Sequence, residues 1–172
     1  MSKTSLLGFL IGYFKETKRY TTTRFILELT LVAFALKLFF VIASVYLFTI
    51  LGLDTQTDND FEKELVGYGF FKVSILVVLF ASFETLVGQA LTIKLSSFFT
   101  KDIIKKILIS ALVFSLLHIE PLLVAAVFPI GVILAWSYIL YRRKSFLMAF
   151  YVTTTIHVLH NLVALWLVAR SG

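Results

Sequence analysis

Four polar residues interrupt the apolar stretches of this chain: Glu84, His118, His157 and Asn161. A carboxylate can take a proton from water as a general base, and a neighbouring imidazole can share that water. A second imidazole together with an amide can donate hydrogen bonds to a developing oxyanion. Residues of these types, if they meet, are sufficient to hydrolyse a peptide bond without a covalent intermediate.

The spacing of these residues from basic residues places them at one depth. Glu84 precedes Lys94 by ten residues, about 15 Å of helix, which is half of a ~30 Å hydrocarbon core. His157 follows Lys144 by thirteen residues and therefore lies at a similar depth. Asn161 follows His157 at the i+4 position and projects from the same helix face. We expect these polar groups to meet near the middle of a membrane.

Structural roles remain open for the same residues. Polar side chains commonly join membrane helices, so each histidine and the asparagine could serve only as a helix contact. Lys37 lies thirteen residues beyond Arg24, again near mid-membrane. An ion pair between Lys37 and Glu84 is therefore a second way to accommodate the carboxylate. The sequence favours a joint site, because three separate segments bring polar groups to one level.

The composition indicates an integral membrane protein. Of 172 residues, 59% are hydrophobic and 15% are charged, whereas a soluble domain has about 25% charged residues. The sequence has no cysteine, which excludes a disulfide framework, a thiolate nucleophile and a cysteine zinc site. The formal net charge is +6, but the basic residues flank apolar segments, a pattern that sets membrane orientation. We expect lipid bilayer surroundings and no nucleic-acid partner.

The apolar segments predict an all-α fold, a polytopic transmembrane helical bundle with about five membrane segments plus an N-terminal interfacial helix. Residues 1–24 are expected to form a cytoplasmic or interfacial segment. Residues 25–172 are expected to form a single transmembrane helical domain with a catalytic core over about 69–168. The predicted membrane segments cover about 25–51, 69–93, 107–118, 122–141 and 146–168.

The third apolar segment is too short to cross a membrane alone. Its twelve residues would extend about 18 Å as a helix, against a ~30 Å core. The segment stops at the sequence HIEP, where Pro121 disfavours helical backbone at Glu120. Irregular backbone at membrane depth is tolerated only where protein or a cavity surrounds it. This break therefore predicts an internal polar site beside His118.

The charges of the connecting loops predict the orientation of the chain. Basic residues cluster before the first segment, between the second and third, and at 142–144, whereas acidic residues dominate 54–64. Basic loops are retained in the cytoplasm. We therefore expect a multi-pass protein of the cell membrane, with its N-terminus cytoplasmic and its C-terminus outside.

Three short motifs follow one another along the chain: ETLVGQ at 84–89, FSLLH at 114–118 and HVLHN at 157–161. In this order they resemble the EExxxR, FxxxH and HxxxN or HxxxD motifs of the CAAX protease and bacteriocin-processing family (CPBP, also called Abi). That family contains the relatives of the type II prenyl-protein endopeptidase. The resemblance covers about residues 69–168 and rests on the order, spacing and membrane setting of the motifs.

The resemblance implies an intramembrane glutamic-type endopeptidase that uses no cofactor. In that mechanism Glu84 and His118 hold and activate water, and His157 with Asn161 stabilises the oxyanion. The implied substrate is a membrane-associated or C-terminal peptide, including lipidated proteins and those that bear a C-terminal sorting signal.

The first motif departs from the family pattern at two positions. Thr85 stands in place of the second glutamate, and Gln89 stands in place of the arginine. Loss of one charge alone would leave the other buried without a partner, whereas the loss of both preserves neutrality. Thr85 and Gln89 can still form hydrogen bonds, so we expect them to support the motif helix. His160 lies on nearly the same face as His157 and is a further supporting candidate.

Other functions are compatible with the same residues. Glu84, His118 and His157 could form a two-histidine, one-carboxylate zinc site, which would make the protein a zinc-dependent intramembrane protease. The sequence contains no HExxH motif, which disfavours this alternative. A non-catalytic membrane immunity or scaffold protein of the same fold would explain the altered first motif. A proton-coupled transporter is disfavoured by five predicted segments without a detectable repeat.

Overall fold

The structure, a computed structural model, describes residues 21–53 and 70–171. Every regular element in these two ranges is helical, which confirms the predicted all-α class for this part of the chain. The elements are α1 (Thr22–Ile50), α2 (Phe70–Glu84), a π-helical segment (Thr85–Leu91), α3 (Thr92–Ser96), α4 (Ile103–Leu116), α5 (Pro121–Arg142) and α6 (Phe146–Ser171).

Four helices in the described ranges are long and apolar enough to cross a membrane, and they indicate a multi-pass membrane protein. They cover Thr22–Ile50, Phe71–Ser96, Pro121–Arg142 and Phe146–Leu167. Helix α4 has 14 residues, about 21 Å, which is too short to span the bilayer alone. A fifth membrane segment therefore stays a prediction. The predicted N-terminal interfacial helix and acidic loop 54–64 lie outside the described residues.

Helix boundaries follow from local capping chemistry. The Thr21 hydroxyl accepts a hydrogen bond from the backbone N–H of Arg24 at the start of α1. The Asp102 carboxylate accepts one from Ile104 N at 2.8 Å at the start of α4. Such caps satisfy N–H groups that have no partner within the first helical turn. The interruption of the helix predicted before Pro121 is confirmed, because α4 ends at Leu116 and α5 begins with the proline.

Helix α5 is the central helix of the described bundle. It packs against α1, α4 and α6. In its membrane-length window 56% of the residues are buried, against 22–33% in the other three long helices. The Phe25 ring of α1 lies 5.9 Å from Trp136 and 5.1 Å from Tyr141, both on α5. The site described below is therefore built around helix α5, which neighbouring helices hold on three sides.

The outward faces of α1 and α2 carry large apolar side chains. Leu31 is 70% exposed, Phe39 is 63% exposed and Phe71 is 77% exposed. A soluble monomer rarely exposes apolar surface on this scale, because water solvates it poorly. Lipid tails would cover these faces at no such cost, in agreement with the membrane class.

Candidate functional site

A cavity of about 310 Å³ opens among α1, α2, α5 and α6 and the end of α4. Its apolar wall includes Val73, Val77, Phe114, Leu123, Val127, Ile130, Ala164 and Leu165. Its polar wall consists of Lys37, His118, His157, His160 and Asn161. The structure therefore brings together three of the four predicted catalytic residues on one surface, together with Lys37 and the supporting candidate His160.

Glu84 joins this site through His157. The Glu84 carboxylate Oε2 lies 3.4 Å from His157 Nε2. The hydroxyl of Thr85, the next residue, lies 3.3 Å from His157 Nδ1. If Nε2 carries the proton and donates to the carboxylate, Nδ1 accepts from Thr85, and each group has a complementary partner. Two contacts of the imidazole thus come from adjacent residues of the first motif, and the backbone of Ala81 provides a further hydrogen bond.

His118 reaches the cavity from the turn between α4 and α5. Its Nδ1 lies 3.3 Å from the backbone carbonyl oxygen of Phe114. A carbonyl oxygen can only accept, so Nδ1 carries the proton and Nε2 of the neutral ring is left as an acceptor. The predicted partnership of Glu84 with His118 is not a direct contact: among the described residues, the ion-pair contact of Glu84 is with His157.

The turn that carries His118 contains a strained residue. Ile119 has φ of 62°, in the left-handed region, and its side chain is 86% exposed. The backbone N–H of Glu120 donates to the carbonyl of His118 at 2.6 Å and closes the turn. A β-branched residue rarely adopts this conformation, which costs about 1–3 kcal/mol. The tight turn sets the direction in which the His118 ring leaves α4.

Phe114 connects the two motif histidines. Its ring lies edge-on to His118, with 5.5 Å between centroids, and edge-on to His157 at 5.2 Å. Two glycines leave room for this side chain. A Cβ at Gly88 would lie 3.0 Å from the Phe114 ring, and a Cβ at Gly131 would lie 3.1 Å from it. The Phe114 ring therefore fits in this space because residues 88 and 131 are glycines, which have no Cβ.

The π-helical segment creates a second buried polar cluster behind the site. The hydroxyl of Ser110, on α4, donates to the carbonyl of Gly88 at 2.7 Å and lies 2.5 Å from the side-chain amide of Gln89. The second contact joins two oxygen atoms, Ser110 Oγ and Gln89 Oε1, so the single hydroxyl proton lies between two acceptors, and Gln89 Nε2 has no hydrogen-bond partner among the described residues. Gln89 thus holds α4, while Thr85 holds α6. Ser110 could not be recognised from the sequence, because it is one small residue in an apolar helix.

His160 is buried at the cavity wall with unused hydrogen-bonding capacity. The residue is 1% exposed, and neither ring nitrogen has a hydrogen-bond partner among the described residues. The Phe34 ring packs against the imidazole in a tilted arrangement, with 6.2 Å between ring centroids. Lys37 interacts electrostatically with His118, His157 and His160. The Lys37 side chain thus exerts an electrostatic effect on all three imidazoles of the cavity wall.

The zinc alternative named Glu84, His118 and His157 as ligands. Within residues 21–53 and 70–171, the structure contains no group of three or more histidine, cysteine, aspartate or glutamate side chains placed to hold a metal ion. The zinc site stays a prediction that chelation can test.

No family model, no curated protein and no solved structure matches this chain. The resemblance to the CAAX protease and bacteriocin-processing family rests on the three motifs.

Proposed function

We propose that the protein is an intramembrane glutamic-type endopeptidase that hydrolyses a membrane-associated or C-terminal peptide. The observation that carries the proposal is the contact between Glu84 and His157 beside a cavity whose wall includes His118 and Asn161. A carboxylate, an imidazole with a free acceptor nitrogen and an amide are the groups that general-base hydrolysis needs.

The first step is attack of water on the peptide carbonyl carbon. Glu84, assisted by the acceptor nitrogen of His118, takes one proton from water as the new C–O bond forms. The carbonyl π electrons move to oxygen, and Asn161 donates a hydrogen bond to the resulting oxyanion. The tetrahedral intermediate then collapses, the C–N bond breaks, and Glu84 returns the proton to the leaving nitrogen.

His157 takes part through a change of partner. Before the reaction, its Nε2–H is bound to the charged Glu84 carboxylate, and such charge-assisted bonds are about twice as strong as neutral ones. Protonation of Glu84 by water removes that charge. The Nε2–H is then released at the moment when the oxyanion forms. In the tautomer with the proton on Nε2, the Thr85 hydroxyl donates to Nδ1 and keeps that proton on Nε2 throughout.

The proposal includes the orientation of the chain and its partners. The protein has about five membrane segments in the cell membrane, with the N-terminus cytoplasmic and the C-terminus outside. The site lies near mid-membrane, so the substrate is a peptide delivered by the bilayer, such as a lipidated protein or one with a C-terminal sorting signal. No cofactor is needed in this mechanism.

The test compares two glutamates of the same chain. Glu84→Gln keeps size and hydrogen bonding but cannot accept a proton. Glu28→Gln is the matched control, because Glu28 lies in α1 and pairs with Arg24 at 36% side-chain exposure. In membranes that carry Glu84→Gln, substrate precursors should accumulate, as measured by mass spectrometry of peptide termini. Membranes that carry Glu28→Gln should match the unchanged protein.

The same variant separates catalysis from a structural pair with Lys37. A catalytic Glu84 predicts a folded and inactive Glu84→Gln protein. A Lys37–Glu84 pair predicts a protein destabilised by about 3–5 kcal/mol and restored by adding Lys37→Met. An active Glu84→Gln protein would contradict the proposal.

A non-catalytic membrane protein is the second candidate. It is favoured by the contacts of His157, because both ring nitrogens already contact protein groups. Glu84, Thr85 and His157 would by themselves join α2 to α6. This candidate predicts that Glu84→Gln changes stability without any change in peptide processing.

A further inference from the structure

His160 provides the first observation. A neutral imidazole has one donor and one acceptor, and burial without partners is unfavourable for each unsatisfied group. Both nitrogens of His160 are without a hydrogen-bond partner in the described part of the chain, and the residue lines the cavity. A molecule in the cavity that bears a hydrogen-bonding atom would remove this cost. The unsatisfied imidazole therefore points to a ligand.

The charge of the wall indicates the sign of that ligand. Lys37 lines the cavity and acts electrostatically on all three imidazoles. Glu84 contacts His157 but is not one of the described lining residues. An ammonium in a low-dielectric setting repels cations and attracts an anion more strongly than it would in water. The cavity is suited to a negatively charged group at its polar wall.

The number and type of donors favour a carboxylate over a phosphate. Lys37 offers an ammonium, Asn161 offers an amide N–H and His160 offers a ring N–H. The lining contains no arginine among the described residues, and arginine is the side chain that binds the several oxygens of a phosphate in paired fashion. A carboxylate needs only one charge and two acceptor oxygens, which this wall can satisfy.

The remainder of the wall indicates what carries the carboxylate. Five lining residues are aliphatic: Val73, Val77, Leu123, Val127 and Leu165. The volume of about 310 Å³ is at the lower end of the ~300–1,000 Å³ usual for ligand cavities. That space fits a short or medium aliphatic chain, whereas a membrane lipid with two long tails would exceed it.

We propose that this cavity binds a carboxylate carried on a short or medium aliphatic chain, with Lys37 as the counter-charge and His160 as a hydrogen-bond donor. Two sources share this chemistry: a free fatty acid from the bilayer, and an aliphatic residue at the carboxyl end of a peptide. The inference concerns binding alone and does not depend on hydrolysis at Glu84.

The test measures binding to the full chain in nanodiscs of zwitterionic lipid. Equilibrium dialysis of labelled octanoate against loaded and empty nanodiscs gives the protein-bound fraction. Octanamide has the same chain without the charge and serves as the ligand control. Octanoate should bind at least about tenfold more tightly than octanamide. Equal binding of the two compounds overturns the proposal, and this comparison needs no variant.

Variants then test the residues. Lys37→Met and His160→Phe should each weaken octanoate binding by about tenfold or more, whereas octanamide binding should change little in Lys37→Met. Lys94→Met is the matched control, because Lys94 is an exposed lysine of α3 outside the cavity. An equal loss in Lys94→Met would show attraction to the protein surface and overturn the proposal.

A third arm distinguishes the two sources. N-acetyl-leucyl-leucine presents an aliphatic residue with a free carboxylate, and its amide is the control. Tighter binding of octanoate assigns the cavity to a fatty acid, and tighter binding of the peptide assigns it to a peptide terminus. Failure of both carboxylates to bind above their amides overturns the proposal. If carboxylate binding persists in a protein without peptidase activity, only the proposed function fails.

Discussion

The carboxylate of Glu84 contacts the imidazole of His157, with 3.4 Å between Oε2 and Nε2. This contact joins the last residue of α2 to the middle of α6. Thr85 contacts the other ring nitrogen at 3.3 Å, so two consecutive residues contact the imidazole, together with the backbone of Ala81. The Glu84 carboxylate and the Thr85 hydroxyl therefore act together on the orientation of the imidazole.

Thr85→Val tests whether the hydroxyl fixes the tautomer of His157. The change keeps the shape but leaves Nδ1 of His157 without a partner, which should cost about 1 kcal/mol of stability and about tenfold in rate. Thr85→Ser retains the hydroxyl and should restore most of the rate. Peptide-processing rate and thermal unfolding in detergent provide the measurements.

Thr49→Val is the control for that change. The Thr49 hydroxyl donates to the carbonyl of Val45 in its own exposed helix turn, which is its hydrogen bond among the described residues. Its replacement should leave the rate unchanged. If Thr85→Val is as active as Thr49→Val, the proposed role of the hydroxyl is wrong.

Gly131→Ala should destabilise the bundle, against the usual trend. In an ordinary helix interior this change stabilises by about 1 kcal/mol. Here the added Cβ would lie 2.9 Å from Ala111 Cα and 3.0 Å from its carbonyl oxygen. Backbone atoms of α4 cannot move without shifting the helix, so we expect a net loss of about 1–3 kcal/mol. A raised unfolding temperature would contradict the packing of α4 on α5.

Gly88→Ala gives a useful comparison with Gly131→Ala. Its nearest obstacle is the side chain of Phe114, at 3.0 Å, and only then the Phe114 backbone at 3.3 Å. A side chain yields more readily than backbone, although Phe114 Cβ also lies 3.1 Å from the added Cβ. We therefore expect a smaller loss of stability and a larger effect on peptide-processing rate, because the same ring contacts both motif histidines.

Ile119→Gly should stabilise the protein. Glycine adopts a φ of 62° without steric cost, and the 86% exposed isoleucine side chain loses few contacts. After the entropy that glycine adds to the unfolded chain, a gain of up to about 1 kcal/mol is expected. Ile119→Val, which keeps the β-branch, should give no gain. Unfolding temperatures of the three proteins in one detergent provide the comparison.

Metal chelation separates the glutamate mechanism from the zinc alternative. The glutamate mechanism predicts full activity of the purified protein after treatment with strong chelators, and zinc below one ion per chain by elemental analysis. Loss of activity that zinc restores would instead assign Glu84, His118 and His157 as metal ligands.

Single cysteines can test the orientation without background, because the sequence contains none. Cysteines placed in 54–64 should react with an impermeant reagent from outside the cell. Cysteines at 142–144 should react only after the membrane is opened. Labelling of both loops from the same side would show that the predicted topology is wrong.

The sequence predicted the helical elements well where one residue controls a boundary. Pro121 determined the break after α4, because its ring restricts the preceding residue, and that effect is local. That Glu84 and His157 lie at a common level, as their contact shows, could be counted from flanking lysines, since helix rise is constant. These features depend on neighbours along the chain and are therefore visible in it.

The partner of Glu84 could not be predicted in the same way. His118 and His157 are at similar depth, and the choice between them depends on how α2, α4 and α6 pack. That packing depends on close approaches at Gly88 and Gly131 and on the placement of Phe114 between them. None of these contacts has a periodic signal. The cluster of Ser110 with Gln89 was missed for the same reason.

The π-helical segment determines how the site responds to chain length and not only to residue type. A π-helical turn contains an additional residue compared with an α-helical turn. Deletion of one residue within 85–91 would let the helix close as α-helix from Phe70 to Ser96. The π turn already accommodates the additional residue, so α2 and α3 would keep nearly the same relative orientation and Glu84 would still face His157. The same deletion in an α-helical part of this helix would rotate everything before it by about 100° relative to everything after it and turn those residues away from their partners. Loss of one residue is therefore accommodated only inside the π-helical segment.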